Sequence, residues 1–179
     1  ETTVNAPSTK SLTNETRYEY FKRTEFSIDQ FKKLVQQCIK GNVIPCVSVF
    51  SIESLKRALK AGFKIIKVPS GEVTNIPLLR EIAKTKIPVI ISSGMSNWQE
   101  LDNAINVFSD NQEICVLQCS STYPTSPENV GLNILSELKD RYKIPYGLSD
   151  HTISGATSIA AVTLGAKVIE KHFTISKNL

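Results

Sequence analysis

The two histidines of the chain, His151 and His172, each follow a short apolar run that is typical of a β-strand, at 144–148 and at 167–169. Between them lies an apolar stretch with helical spacing, and Gly165 predicts its end. The order is therefore strand, loop, helix, strand, and two such strands are normally parallel with a right-handed crossover. Both imidazoles then leave the carboxyl edge of one sheet, where α/β folds place their functional sites.

Two neighbouring imidazoles at such an edge predict half of a site for a divalent cation, because neutral imidazole is a common metal ligand. The alternative is one structural histidine and one surface histidine. The residue pattern alone leaves both interpretations open.

Lys67 is the cation whose position is most informative. Because it alternates with the apolar residues Ile66 and Val68, we expect its side chain to point away from the helix layer and into the sheet interior. Desolvating a lysine there is costly unless it meets an anion, so a phosphate or a carboxylate is the expected partner. The alternative is a lysine that extends to the solvent at the rim.

Small hydroxyl residues and glycines recur where each predicted strand ends. The fragments are VSVFS (47–51), KVPSGEVTN (67–75), ISSGM (91–95), CSSTYPTSP (119–127), LSDHT (148–152) and EKHFT (170–174). Loops of this kind bring hydroxyl groups and backbone N–H groups close to an anion.

Three acidic residues of these fragments are candidates for supporting roles. Glu72 is a candidate general acid, general base or polar anchor, with a surface glutamate ahead of a helix as the alternative. Glu170 shares the parity of His172, which predicts a carboxylate that orients this imidazole. Asp150 has the opposite parity to Ser149 and is expected to support a neighbouring loop.

Six apolar runs alternate with stretches of helical spacing, and the predicted strands begin near residues 43, 64, 87, 114, 144 and 167. This alternation favours repeated β/α units and a parallel sheet covered by helices. Pairs of residues three apart, Ser27 with Gln30 and Ser96 with Gln99, predict capping boxes at two helix starts. A doubly wound sheet and a (β/α)₈ barrel are the alternatives. Six units are two fewer than a barrel, and no helix follows the last strand, so we expect a part of a longer protein.

Composition narrows the class of protein. The chain has 179 residues, 41% of them hydrophobic and 21% charged, with a net charge of +4 spread among interleaved acids and bases. No basic block predicts nucleic-acid binding, and no apolar run is long enough to cross a membrane. None of the four cysteines forms a CxxC pair, so we expect reduced core residues in a cytoplasmic protein. They are Cys38, Cys46, Cys115 and Cys119.

Five longer segments then point to a known family. KVPSGEVTNIPLL, PVIISSGM, LQCSSTYPTSPENVGLN, GLSDHT and AAVTLGAKVIEKHFT occur in this order. Together they resemble the catalytic barrel of the sialic acid synthase family, which includes N-acetylneuraminate, legionaminate and pseudaminate synthases. The resemblance extends from about Ser27 to the end of the chain. Its specificity lies in the combination of the SGE, SSGM, SDH and EKHFT elements, since none is specific alone.

The resemblance implies an α/β fold, a (β/α)₈ TIM barrel, of which this chain carries about six units, the third to eighth strands. It implies that residues 1–179 form a partial barrel domain. Two N-terminal strands and a small antifreeze-like C-terminal domain are then expected outside these residues. Family members are commonly homodimers in which that small domain completes the partner's site. We therefore expect residues 1–179 alone to be inactive.

The reaction implied is that of a nonulosonate synthase. Phosphoenolpyruvate is joined to an open-chain N-acetylated amino sugar such as N-acetylmannosamine, phosphate is released, and a nine-carbon 2-keto acid forms. By resemblance, His151 and His172 bind Mn²⁺ or Mg²⁺, which polarises the sugar aldehyde. Glu72 matches an essential glutamate, and Tyr123 matches a sugar-contacting tyrosine. Positions that hold phosphoenolpyruvate in the family match Lys67, Ser70, Ser92, Ser149 and, in place of a threonine, Ser48.

Two positions depart from the family pattern. Ser121 stands where some N-acetylneuraminate synthases have a sugar-binding asparagine, and Ser176 stands where an aspartate is common. Two other functions compete with the synthase: a Schiff-base aldolase that uses Lys67, and a non-catalytic barrel remnant that binds sugars. Chelation would leave the aldolase active, and borohydride would trap its substrate on the lysine.

Overall fold

The structure is a computed structural model that describes residues 15–175. Six parallel strands form one sheet in the order β1-β2-β3-β4-β5-β6. The strands are β1 Cys46–Ser48, β2 Ile65–Val68, β3 Val89–Ser92, β4 Ile114–Cys119, β5 Tyr146–Asp150 and β6 Val168–Lys171. The helices are α1 Arg17–Thr24, α2 Ile28–Lys40, α3 Ile52–Ala61, α4 Ile76–Thr85, α5 Trp98–Ile105, α6 Ile134–Tyr142 and α7 Ala156–Thr163.

The strand order decides between the two architectures left open by the sequence. A doubly wound sheet reverses its order at a switch point, whereas each strand here lies beside its predecessor in the chain. The sheet is a curled half-barrel with helices outside it, which confirms the predicted α/β barrel with six β/α units. All six predicted strands are present. The strands β1, β2 and β3 begin one to three residues later than predicted, and β5 and β6 end two residues later than predicted.

The main core lies between the sheet and the helices. Ile66, Val68 and Leu148 are fully buried there against helix residues such as Leu55 and Leu79. The strand residues that alternate with them point the other way, towards the concave face of the sheet. Polar side chains of the strands therefore collect on that face, away from the helices.

Helix starts follow capping rules, and one predicted cap is wrong. Ser27 and Gln30 form the predicted capping box of α2. In α5 the box is one residue later than predicted, formed by Asn97 and Glu100 instead of Ser96 and Gln99. The hydroxyl of Ser96 instead donates to the carbonyl of Ser93 within the preceding turn, and Ser96 lies one residue ahead of the cap.

Helix α1 is absent from the sequence-based prediction, because residues 1–24 show no sustained period. Its start is nevertheless a capping box of Thr16 and Glu19, and a box of this kind needs no apolar stripe.

Ser176, which stands where the family commonly has an aspartate, lies outside the described residues 15–175.

An apolar surface at α7 faces solvent. The exposed residues are Ile159 and Val162 of α7 and the adjoining Leu164, while Thr157 and Ala161 are buried against the sheet.

Cys46, predicted to be a core residue, is exposed on the outer strand β1. All four cysteines are free thiols, and Cys115 and Cys119 are buried as predicted. Among residues 15–175, no helix is both long and apolar enough to cross a membrane.

Candidate active site

A polar cleft of about 580 Å³ opens on the concave face at the carboxyl ends of the strands. All the predicted site residues except Glu72 line this cleft. The structure thus brings together Ser48, Lys67, Ser70, Ser92, Ser121, Tyr123, Ser149, His151 and His172. The convergence follows from the parallel sheet, because every strand ends at the same edge.

Lys67 occupies the floor of the cleft. It is 6% exposed and points to the concave face, as its alternation with Ile66 and Val68 predicts. Its Nζ lies 3.4 Å from Oε2 of Glu170, so an anionic partner is present within the chain itself. The same carboxylate accepts a hydrogen bond of 2.6 Å from the hydroxyl of Ser149. Glu170 therefore contacts Lys67 and Ser149, whereas its parity had predicted that it orients His172.

The tautomer of His151 follows from its contacts. Its Nδ1 lies 2.9 Å from the carbonyl oxygen of Ser120, which can only accept, so Nδ1 carries the proton in the neutral ring. Nε2 lies 3.3 Å from the hydroxyl of Ser149, and that hydroxyl donates its proton to Glu170. The lone pair of Nε2 is consequently available to an electrophile in the cleft.

The second histidine lies beside the first. The ring centroids of His151 and His172 are 5.5 Å apart, and the ring of Tyr123 lies 4.1 Å from the former and 5.6 Å from the latter. Burial raises the pKa of Tyr123, and electrostatic interaction with Cys119 and Glu170 raises it further, so the phenol stays neutral at physiological pH. Tyr123 thus presents a hydroxyl and an aromatic ring at the mouth of the cleft.

The donor set fits a divalent cation in part. Two imidazoles lie side by side with their planes at 70°, and the Ser120 carbonyl fixes one of them with its lone pair towards the cleft. Among residues 15–175 there is no group of three or more histidine, cysteine, aspartate or glutamate side chains placed to hold a metal. A cation held here by the two histidines would keep its other positions open, as catalytic metals do.

The hydroxyl of Ser92 is a buried polar group in the wall of the cleft. This hydroxyl is 2% exposed and has no hydrogen-bond partner within the described residues. A buried hydroxyl without a partner costs free energy, so it is expected only where something else binds it. The hydroxyl lines the same cleft as Lys67, which is where an anion would approach.

Glu72 lies outside this group. It ends a 3₁₀ turn, Ser70–Glu72, and its Oε2 accepts a hydrogen bond of 2.8 Å from Nδ2 of Asn75. Asn75 is the residue that caps α4, so the observed contact of the Glu72 carboxylate is with the helix start. The proton-transfer role implied by resemblance stays a prediction.

Several lining residues were not predicted from the sequence. Phe50 and Met95 are largely exposed and give the cleft an apolar rim, and Cys119 is buried in its wall. They lie in the same strand-end fragments as the predicted residues, so position at the sheet edge was the available signal. Residue type concealed them, because apolar side chains near strands usually belong to the core.

Comparisons with known proteins agree with this geometry. A family model described as the NeuB family matches residues 2–179. The chain is 39% identical over 170 residues to an N,N'-diacetyllegionaminic acid synthase of Campylobacter jejuni, covering 93% of this chain and 51% of the relative. It is 35% identical over 161 residues to the N-acetylneuraminate-9-phosphate synthase of Homo sapiens, covering 89% and 45%. The chain thus spans about half the length of the curated relatives it matches.

Solved structures give the same result for the fold. A crystal structure of N-acetylneuraminic acid synthetase from Leptospira borgpetersenii, in complex with citrate, matches with a TM-score of 0.83 and 30% identity. The match covers 88% of this chain and 55% of that one. A truncated 3-deoxy-D-arabino-heptulosonate 7-phosphate synthase from Thermotoga maritima matches with a TM-score of 0.70 at 14% identity, which concerns the fold alone.

Proposed function

The chain belongs to the NeuB family, and from this premise we propose that its cleft serves a nonulosonate synthase. The reaction condenses phosphoenolpyruvate with an N-acetylated amino sugar and releases phosphate. The observation that carries the proposal is the pairing of two chemistries on one sheet edge. A buried lysine and an unpartnered hydroxyl lie on one side, and two adjacent imidazoles lie on the other.

The anionic substrate belongs on the side of Lys67. Its ammonium group and the Ser92 hydroxyl supply donors to the phosphate or carboxylate of phosphoenolpyruvate, and charge-assisted hydrogen bonds of this kind are the strong ones. Glu170 holds Lys67 in place before the anion arrives. The remaining hydroxyls proposed to contact this substrate are those of Ser48, Ser70 and Ser149.

The sugar belongs on the side of the histidines. We assign His151 and His172 as ligands of Mn²⁺ or Mg²⁺, which when bound would supply Lewis-acid polarisation of the sugar aldehyde. Ser121 and Tyr123, both exposed at the mouth of the cleft, are placed to contact the sugar. Phosphoenolpyruvate adds through its alkene carbon, water adds at C2, and phosphate leaves by C–O cleavage.

The protein's own contribution is positioning and charge. Lys67 and the serine hydroxyls fix phosphoenolpyruvate against the strand ends, which removes much of the entropic cost of bringing two reactants together. Glu72 is the proposed proton-transfer group by resemblance, and for that role its carboxylate must turn from Asn75 towards the cleft. We further propose, from the family, a cytoplasmic homodimer for the full-length protein.

The two competing functions have less support. Schiff-base lysines are activated in an apolar pocket or beside another cation, whereas Lys67 faces the carboxylate of Glu170. A non-catalytic remnant would have no need to keep a buried hydroxyl without a partner, since such a group is destabilising.

The test is phosphate release from phosphoenolpyruvate by the full-length protein. The panel comprises N-acetylmannosamine, its 6-phosphate and a di-N-acetylated 6-deoxyhexose, each assayed with Mn²⁺ and with a chelator. We expect release of phosphate with one of these sugars and formation of a 2-keto acid in equal amount. The aldolase would be favoured if activity survives chelation and borohydride traps the substrate as a covalent adduct on Lys67. Absence of turnover with every sugar, with the protein folded, would refute the synthase.

A further inference from the structure

An ion pair joins the carboxyl ends of β5 and β6, one residue before each of the two histidines in the chain. Nζ of Lys171 is 3.0 Å from Oδ2 of Asp150, and the side chains are 30% and 0% exposed. Asp150 and Lys171 are partners in the register of β5 and β6. Each is also the residue immediately before a histidine, His151 in one case and His172 in the other.

The carboxylate of Asp150 joins several parts of the chain. It accepts hydrogen bonds from the backbone N–H of Thr152 at 2.9 Å, from the hydroxyl of Thr157 at 2.8 Å, and from the hydroxyl of Ser158. Lys171 in turn donates to the carbonyl of Thr152 at 2.7 Å. The pair therefore ties the ends of two strands to the intervening loop and to the first turn of α7.

The two histidines are held differently. His151 is fixed through its ring by the Ser120 carbonyl and through its own carbonyl by the N–H of Thr125. For His172, within residues 15–175, the described contacts of the ring are aromatic ones, with Tyr123 and His151. Its position therefore depends on the backbone just before it, which Lys171 anchors.

We propose that Asp150 and Lys171 are positioning residues that set the separation of the two imidazoles. Their charged groups bind each other and Thr152, so neither is a ligand itself. This inference rests on the proposed function in one respect, because the two histidines matter as a pair only if they bind a common ligand. Partners that orient metal-binding histidines typically change metal affinity 10- to 100-fold when they are removed.

The experiment compares three variants of the full-length protein. Lys171→Met removes the ammonium group and keeps the length of the side chain, while Lys171→Arg keeps a cation that can reach Asp150 and Thr152. Arg141→Met is the matched control, since it breaks the ion pair of Arg141 with Asp102, which links α6 to α5 away from the cleft. Circular dichroism and thermal melting show that each variant is folded.

Two readouts are measured. The first is Mn²⁺ affinity by electron paramagnetic resonance, for which we expect a loss of about 10- to 100-fold in Lys171→Met, recovery of most of it in Lys171→Arg, and little change in the control. The second readout needs no metal. It is the rate at which diethyl pyrocarbonate modifies each of His151 and His172, and peptide mapping resolves the two residues. Release of the strand end should raise the rate at His172 several-fold in Lys171→Met and leave the rate in the control unchanged.

The outcomes separate the positioning role from the proposed function. If Lys171→Met melts earlier but keeps the wild-type rate at His172, the ion pair is merely structural and the inference is wrong. If the wild-type protein binds no Mn²⁺ while the His172 rate still rises in Lys171→Met, the positioning role stands and the metal assignment fails. If the control reproduces every change seen in Lys171→Met, general loosening explains the result and the inference is overturned.

Discussion

At the scale of single residues, the cleft contains two buried groups that lie beside its open space, the Lys67 ammonium and the Ser92 hydroxyl. Lys67 has a carboxylate partner, Glu170. The side chain of Glu170 is 40% exposed, so the ion pair is open to solvent and a second anion can approach Lys67. Ser92 has a hydroxyl with no partner among residues 15–175. Both residues can be altered in ways that separate their contribution to binding from their contribution to stability.

Replacement of Lys67 by alanine should weaken the capture of phosphoenolpyruvate. A hydrogen bond to a charged group contributes about 1.5–3 kcal/mol, so the Michaelis constant for phosphoenolpyruvate should rise by about one to two orders of magnitude. Steady-state kinetics at saturating sugar measures this, with Lys64→Ala as the control because Lys64 is exposed and outside the cleft. An unchanged Michaelis constant and turnover number would remove Lys67 from the substrate site.

Replacement of Ser92 by alanine should separate stability from binding. Because the buried hydroxyl lacks a partner, its removal should leave the melting temperature unchanged or raise it, while phosphoenolpyruvate binding weakens by about 1 kcal/mol. The neighbouring Ser93 donates to the carbonyl of Leu117 at 3.1 Å and does not line the cleft. Ser93→Ala should show the opposite pattern, with lower stability and unchanged binding. Equal effects in both variants would contradict this reading of Ser92.

At the scale of elements, local patterns predicted the framework and failed where tertiary contacts decide. The strand β4, Ile114–Cys119, lies where its apolar run predicted, because a buried parallel strand is apolar on both faces. The cap of α5 lies one residue later than spacing predicted, because the turn that includes Ser96 places Asn97 at the helix start. The partner of Glu170 was missed for a similar reason. Parity gives the face of a strand, whereas the contact with Lys67 reaches beyond the neighbouring strand.

The close approach of β5 and β6 depends on Gly147. A Cβ added there would lie 1.9 Å from the backbone oxygen of Val168, so Gly147→Ala must push the two strands apart. We expect a loss of about 2–3 kcal/mol in the free energy of unfolding and weaker Mn²⁺ binding, because His172 follows β6. Gly155→Ala is the control, since nothing lies within 4 Å of its added Cβ. Chemical denaturation measures both variants, and equal stability would show that the strands can adapt.

At the scale of the whole molecule, the sequential parallel order explains why distant segments form one site. Residues from all six strand ends, between Ser48 and His172, meet on the concave face because no strand leaves the order of the chain. The same order leaves two outer strands. Among residues 15–175, β1 pairs only with β2 and β6 only with β5. The groups that would lie beyond these edges cannot be derived from the chain, which is why substrate and partner assignments rest on the family.

The outer surfaces of the described residues, 15–175, should make the isolated chain self-associate. Unpaired strand edges favour pairing with other chains, and apolar side chains are exposed near both, with Ile44 at 66% and Ile159 at 71%. Sedimentation velocity should show a mass that rises with concentration. Ile159→Glu with Val162→Lys, an oppositely charged pair on exposed positions of α7, should reduce the association without lowering the melting temperature. The matched pair Asn133→Glu with Ser136→Lys, on exposed positions at the start of α6, should leave it unchanged. A monomer at all concentrations would show that the exposed face of α7 and the strand edges do not mediate self-association.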